Sequence, residues 1–119
     1  MPYKPYVPQD IGELLDYLAY VTLASPTFKD KTGYFPRENI ETAFFGLNES
    51  LLMVRNELGD ARYAALKALS DKMRALFEAD PEDKTGETHA GRMLIHEMED
   101  ILENVAKQAA RRGRKSAED

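Results

Sequence analysis

Residues 40–58 read IETAFFGLNESLLMVRNEL, and large apolar side chains recur in this stretch every three or four positions. An α-helix turns by about 100° per residue, so this spacing places those side chains on one side of a helix. Such a stripe has to pack against other helices for the helix to be stable in water. The stretch therefore predicts a long core helix, with a buried stripe of Ile40, Phe44, Leu47, Leu51, Val54 and Leu58.

Three further segments show helical spacing, and residues that end helices separate them. Proline cannot continue a helix, and glycine suits the position after the last turn, so Pro26, Gly59 and Pro81 mark boundaries. The predicted helices run from Asp10 to about Ala24, from Pro36 or Arg37 to Leu58, from Asp60 to about Ala79, and from between Thr85 and Thr88 to about Arg112.

Short connections between consecutive helices favour antiparallel neighbours. We therefore predict an all-α fold, a four-helix up-down-up-down antiparallel bundle with an extended N-terminal segment rich in proline and tyrosine. The predicted organisation is an extended segment over residues 1–9, the bundle over residues 10–112, and a basic and polar tail over residues 113–119.

The inward faces of the outer helices follow from the same spacing. Asp10 and Glu13 stand three apart, as in a capping box, and predict the start of the first helix. Its predicted apolar face is Ile11, Leu14, Leu15, Leu18 and Val21, widened by Tyr17, Tyr20 and Leu23. The predicted stripe of the fourth helix is Leu94, Met98, Ile101 and Val105, flanked by Ile95 and Leu102.

Composition narrows the class of protein. The 119 residues include 16 basic and 21 acidic residues and no cysteine, so thiolate metal sites and disulfides are excluded. Residues 1–106 carry 11 basic and 19 acidic side chains, a net charge of −8, whereas residues 107–119 carry five and two, a net of +3. An acidic body argues against general nucleic-acid binding. With no membrane-spanning run and no signal-peptide pattern, we expect a cytoplasmic protein.

Paired carboxylates are the first candidates for chemistry, since residues three apart share a helical face and can hold a divalent cation. The sequence contains Glu38-Asn39-Ile40-Glu41 and, further on, Glu57-Leu58-Gly59-Asp60. This arrangement resembles the all-α nucleotide pyrophosphohydrolases, in which such motifs hold Mg²⁺ ions that activate water. The resemblance implies an enzyme with Glu38, Glu41, Glu57 and Asp60 as its metal ligands, and Mg²⁺ as its cofactor.

Two histidines suggest a second alternative. His89 and His96 are seven apart on the predicted fourth helix and share a face nearly opposite its apolar stripe, so we expect both to be exposed. His96-Glu97 resembles the start of a histidine-kinase motif, and Arg92 follows His89 by three residues. That resemblance implies a phosphotransfer module, with an exposed histidine on a helical bundle.

The loop between the first two helices carries three aromatic residues, Phe28, Tyr34 and Phe35, beside charged residues. Exposed aromatics with a charged rim suit a protein interface, although the same rings could close the end of the bundle. Our leading prediction is a non-catalytic module, of regulatory, adaptor or inhibitor type. It binds a protein partner through these three residues, or a second copy of itself, and needs no cofactor.

Overall fold

A computed structural model describes residues 5–29 and 38–118, with side chains as far as Arg112. The helices are α1 (Ile11–Ala24), α2 (Ile40–Met53), α3 (Arg55–Leu58), α4 (Asp60–Ala79) and α5 (Glu87–Glu118). No strand occurs within the described ranges, so the predicted all-α class is confirmed. No helix in these ranges combines the length and the apolar character needed to cross a membrane.

The helix count differs from the predicted four, because the long core helix is divided at Val54 into α2 and α3. Val54 has φ −98° and ψ 8°, outside the helical range. There the amide of Glu57 donates to the carbonyl of Val54, a tighter bond than the usual helical one. The predicted stripe survives the break, since all its members except the half-buried Ile40 are buried.

The boundaries of α1 and α4 follow the sequence signals. The Glu13 amide donates to Asp10 Oδ1 at 2.8 Å, which confirms the predicted N-cap, and α1 ends at Ala24. Gly59 has φ +80°, where only glycine is free of strain, and it permits the tight turn into α4. Asp60 makes no side-chain cap for α4. It is the first residue of the helix, and its carboxylate pairs with Arg55 at 3.3 Å.

Side-chain contacts show that α2 and α4 run in opposite directions. Ser70 of α4 donates to Asn48 of α2 at 2.8 Å. Phe44, which precedes Asn48 on α2, packs near Phe77, which follows Ser70 on α4, and their ring centroids lie 6.3 Å apart. Arg62 near the start of α4 donates to Gln108 late in α5 at 3.2 Å. Residue numbers therefore rise along one helix as they fall along its neighbour in the α2–α4 pair.

Phe28 is a core residue, which corrects the interface role predicted for it. Its ring is fully buried and lies 5.8 Å from the rings of both Phe44 and Phe77, each in an edge-to-face arrangement. Burial of this cluster outweighs the cost of holding Phe28 at φ +60°. The ring is thus not available on the surface. Tyr34 and Phe35, predicted to share the interface, lie outside the described residues.

The buried face of α5 is displaced from the predicted one by about one residue. Leu94 and Ile101 are only half-buried, whereas Ile95 and Leu102 are fully buried along with Met98. On α1, Leu23 was predicted to widen the apolar face but is 86% exposed. The helix α5 also continues to Glu118, beyond the predicted end near Arg112.

Asp80 organises the connection between α4 and α5. Its buried carboxylate accepts hydrogen bonds from the amides of Lys84 at 2.8 Å, Thr85 at 3.2 Å and Thr88 at 3.1 Å. Burial alone would raise the pKa of Asp80, but the amide donors of Lys84, Thr88 and Thr85 favour the ionised form and lower its pKa to about 2. The ionised carboxylate therefore stabilises the fold.

The first prediction concerns the pH dependence of stability. The pKa of Asp80 is lower in the folded chain than its ordinary value of 3.8, so its contribution is complete above about pH 4 and is lost as the pH falls towards 2. We expect Asp80→Asn to be less stable than the native chain near pH 7, with a smaller difference near pH 2. Urea unfolding between these pH values measures this. Asp100→Asn, at an exposed position, is the control, and an equal loss at every pH would contradict the prediction.

Candidate functional site

A cavity of about 280 Å³ lies between the N-terminal segment, α1 and the start of α2. We call it the tyrosine pocket. Three tyrosines, three acidic residues and three smaller residues line the pocket. They are Pro5, Tyr6, Glu13, Asp16, Tyr17, Tyr20, Glu38, Thr42 and Ala43.

Helical spacing places the α1 side of the pocket. Glu13, Asp16, Tyr17 and Tyr20 follow one another by three, one and three positions, so they share one face of the helix. The rings of Tyr17 and Tyr20 are stacked with centroids 5.3 Å apart. The Tyr17 hydroxyl donates to the carbonyl of Ala43 at 2.9 Å, which fixes this ring against α2.

Gly46 allows the N-terminal segment to lie close to α2. A Cβ at this position would lie 2.5 Å from the Tyr6 carbonyl oxygen and 2.9 Å from the Tyr17 hydroxyl, closer than real side chains approach. The Tyr6 ring packs 5.9 Å from that of Tyr17 and remains 57% exposed. The missing side chain of Gly46 therefore lets Tyr6 form the outer wall of the pocket.

The electrostatics of the pocket favour a cation. Partial burial and the negative charges of Glu13, Asp10 and Asp16 raise the pKa of the Tyr6 hydroxyl above its ordinary value of 10.0. Within the described part of the chain, no basic side chain forms an ion pair with Glu13, Asp16 or Glu38. Aromatic faces attract ammonium and guanidinium groups, and nearby carboxylates strengthen that attraction. The arrangement can hold a positively charged side chain.

Exposed apolar side chains continue from the pocket along the outer face of α2. Thr42 lines the pocket, and the positions that follow it by three, seven and ten residues are Phe45, Glu49 and Leu52. Phe45 and Leu52 are each 48% exposed, and the adjacent Met53 is 52% exposed. We call these three residues the apolar strip. A pocket bordered by an apolar strip has the composition of a binding surface, with anchors beside a polar rim.

The four carboxylates of the pyrophosphohydrolase resemblance lie in two separate places. Glu38 and Glu41 flank the start of α2, whereas Glu57 and Asp60 follow its end. Since α2 has 14 residues, the two pairs are on the order of 20 Å apart. Among the described residues, no three histidine or acidic side chains are grouped so that they could hold a metal ion. Glu38 instead lines the tyrosine pocket.

The second prediction tests this separation. We expect millimolar Mg²⁺ to leave the melting temperature unchanged, and Glu57→Gln to have little effect on stability. A real site would behave differently, since a ligand at about 100 times its Kd adds about 2.7 kcal/mol to the folded state. Thermal melts with and without Mg²⁺, beside a pyrophosphate-release assay with nucleoside triphosphates, make the comparison. Mg²⁺ stabilisation that Glu57→Gln abolishes, with turnover, would favour the enzyme.

Both histidines are exposed, as predicted, but neither stands in a formed site. His96 pairs with Glu99 at 3.3 Å on the outside of α5. Arg92, the basic residue three positions after His89, donates to the Ser25 hydroxyl at 2.9 Å, to the Ser25 carbonyl at 3.0 Å and to Asp83 at 3.2 Å. Arg92 therefore joins the end of α1 to the start of α5.

Comparison of the sequence with protein-family models, curated proteins and solved structures gives no match. The functional inference therefore rests on the geometry of this chain. The sequence did contain a signal for the tyrosine pocket, which is the acidic and tyrosine face of α1. Because tyrosine also fits a helix core, helical spacing alone assigns Tyr17 and Tyr20 only to a wider apolar face. The contribution of Tyr6 depends on the path of the N-terminal segment.

Proposed function

We propose that this protein is a non-catalytic interaction module whose tyrosine pocket accepts a basic side chain of a protein partner. The observation that carries the proposal is the pocket itself, with three tyrosine rings and three carboxylates around one cavity. This replaces the aromatic loop as the proposed interface. The proposal includes the cytoplasmic location expected from the sequence.

A lysine or arginine side chain satisfies both parts of the pocket at once. Its aliphatic stem packs against apolar surface while its charged end meets ring faces and carboxylates. A cation over an aromatic ring contributes about 0.5–1 kcal/mol at an exposed site and about 2 kcal/mol when desolvated. Phe45, Leu52 and Met53 supply apolar area next to the pocket, where further side chains of the partner would lie.

The same proposal takes the four long helices, α1, α2, α4 and α5, as an up-down-up-down bundle. The antiparallel contacts between α2 and α4 support this arrangement, as does the contact of the end of α1 with the start of α5 through Arg92. In such a bundle α1 and α2 are neighbours with a rigid groove between them. A rigid groove lowers the entropic cost of binding.

The experiment is an NMR titration of the labelled protein with an oligolysine peptide, and with oligoglutamate as the matched control ligand. We expect shifts at Tyr6, Tyr17, Tyr20 and the start of α2 with oligolysine alone. The double variant Asp16→Asn and Glu38→Gln should weaken binding by about five- to thirtyfold, since removing two carboxylates costs on the order of 1–2 kcal/mol.

The control variant is Glu97→Gln with Asp100→Asn, which removes the same amount of charge from exposed positions on α5. It should bind oligolysine almost as well as the native protein. Shifts spread over all acidic surfaces, or equal weakening by both double variants, would show that only general charge attraction is present and would contradict the proposal.

A further inference from the structure

The basic residues of the last part of the chain form the charge counterpart of the tyrosine pocket. We call residues 107–115 the basic segment, which contains Lys107, Arg111, Arg112, Arg114 and Lys115 and no acidic residue. Residues 1–106 carry a net charge of −8 (11 basic and 19 acidic side chains). The chain therefore carries its excess negative charge in residues 1–106 and a cluster of positive charge in the basic segment.

The basic segment lies at the end of a helix that is longer than its neighbours. α5 has 32 residues and spans about 48 Å, whereas α4 has 20 residues and spans about 30 Å. Among the residues of α5 whose side chains are described, Val105 is the last buried one, and residues 106–112 are all exposed. A helical extension this short and this polar is marginal in water without packing, so contact with a partner surface would stabilise it.

The start of α5 and the end of α1 lie at the same end of the fold. Arg92, near the start of α5, contacts Ser25 at the end of α1. Phe77 of α4 lies beside Gly91 of α5 and also beside Phe44 of α2. The start of α2 is therefore at the same end of the fold. From Arg92 to Ala109 the helix advances about 25 Å. The basic segment begins at Lys107, about 22 Å along α5 from Arg92, and its described residues as far as Arg112 are exposed.

We infer that the basic segment of one copy docks on the tyrosine pocket of a second copy. This inference rests on the proposed function of the pocket and names its partner. Lys107 and Arg111 are four apart and so share a face of α5, which can align with Glu13 and Asp16 on α1. One basic side chain enters the cavity that the tyrosine rings and the carboxylates line. Reciprocal docking closes a two-fold dimer, and one-way docking produces longer chains.

The test is the mass of the full chain in solution, measured by light scattering or sedimentation over a range of concentrations. We expect the mass to rise with concentration towards at least twice the 13.5 kDa of one copy. Association should be lost in about 0.5 M NaCl, where the Debye length is only about 4 Å. A single-copy mass at every concentration and salt would overturn the inference.

Two variants define which surfaces meet. The tail variant is Arg111→Glu with Arg112→Glu, and the pocket variant is Asp16→Asn with Glu38→Gln. Each alone is expected to be a single copy, because every pair then lacks either a segment or a pocket. Mixed together they should associate, since one supplies an intact pocket and the other an intact basic segment. Association that persists in either variant alone, or that fails in the mixture, contradicts the inference.

Charge-matched controls separate this docking from general attraction. Lys29→Glu with Lys72→Glu changes as much charge as the tail variant, at exposed positions elsewhere, and should associate like the native chain. The oligolysine titration then separates the two proposals. If the native chain remains a single copy but its pocket binds oligolysine, the pocket is a binding site for another partner. If the native chain neither associates with itself nor binds oligolysine, the proposed function is wrong as well.

Discussion

Replacing Phe28 by Ala is expected to lower the free energy of unfolding by about 3–5 kcal/mol, the range for removing a buried aromatic ring. The Phe28 ring is fully buried and meets Phe44 of α2 and Phe77 of α4 at 5.8 Å. Alanine also carries a Cβ, so the unfavourable φ of +60° is the same in both chains. The loss therefore measures the contacts of the ring and the cavity left behind.

Urea or guanidinium unfolding at neutral pH gives the comparison. Leu23→Ala is the matched control, because Leu23 lies in the same part of the chain but is 86% exposed, and it should change stability by less than about 0.5 kcal/mol. If Phe28→Ala behaves like Leu23→Ala, the loop ring does not belong to the core. The interface role predicted from the sequence would then be open again.

The local features of the fold could be predicted because local chemistry determines them. The stripe through Phe44, Leu47 and Leu51 needs only the helical period. The start of α1 at Asp10 and the turn at Gly59 each depend on a few adjacent residues, a side-chain cap in one case and a positive φ in the other. These signals require no knowledge of how the helices meet.

The features that sequence reasoning missed depend on contacts between distant residues. Phe28 is buried because α2 and α4 bring Phe44 and Phe77 together around it. From the sequence, Asp80 beside Pro81 indicates only the end of a helix. Its carboxylate in fact accepts hydrogen bonds from backbone amides up to eight residues later. The tyrosine pocket needs Tyr6 to pass over Gly46, and no periodic pattern in the sequence specifies that path.

The buried face of α5 also depends on a contact with a residue far away in the sequence. Its sequence contains two overlapping apolar stripes, one through Leu94 and Ile101 and the other through Ile95 and Leu102, and the helical period fits both. Gly91 selects the second, because a Cβ there would lie 2.6 Å from the Phe77 ring. The close approach of Phe77 turns the face of Gly91, Ile95 and Leu102 inward.

Leu102→Ala is therefore expected to cost about 2–5 kcal/mol, and Ile101→Ala about 1 kcal/mol. Leu102 is fully buried and leaves a cavity, whereas Ile101 is half-buried and its site fills with water. Leu51→Ala on α2 is the internal standard for a fully buried leucine and should match Leu102→Ala. Denaturant unfolding of all three variants measures the difference. Equal losses at positions 101 and 102, or a larger loss at 101, would mean that α5 presents its first stripe to the core and that Gly91 does not set its rotation.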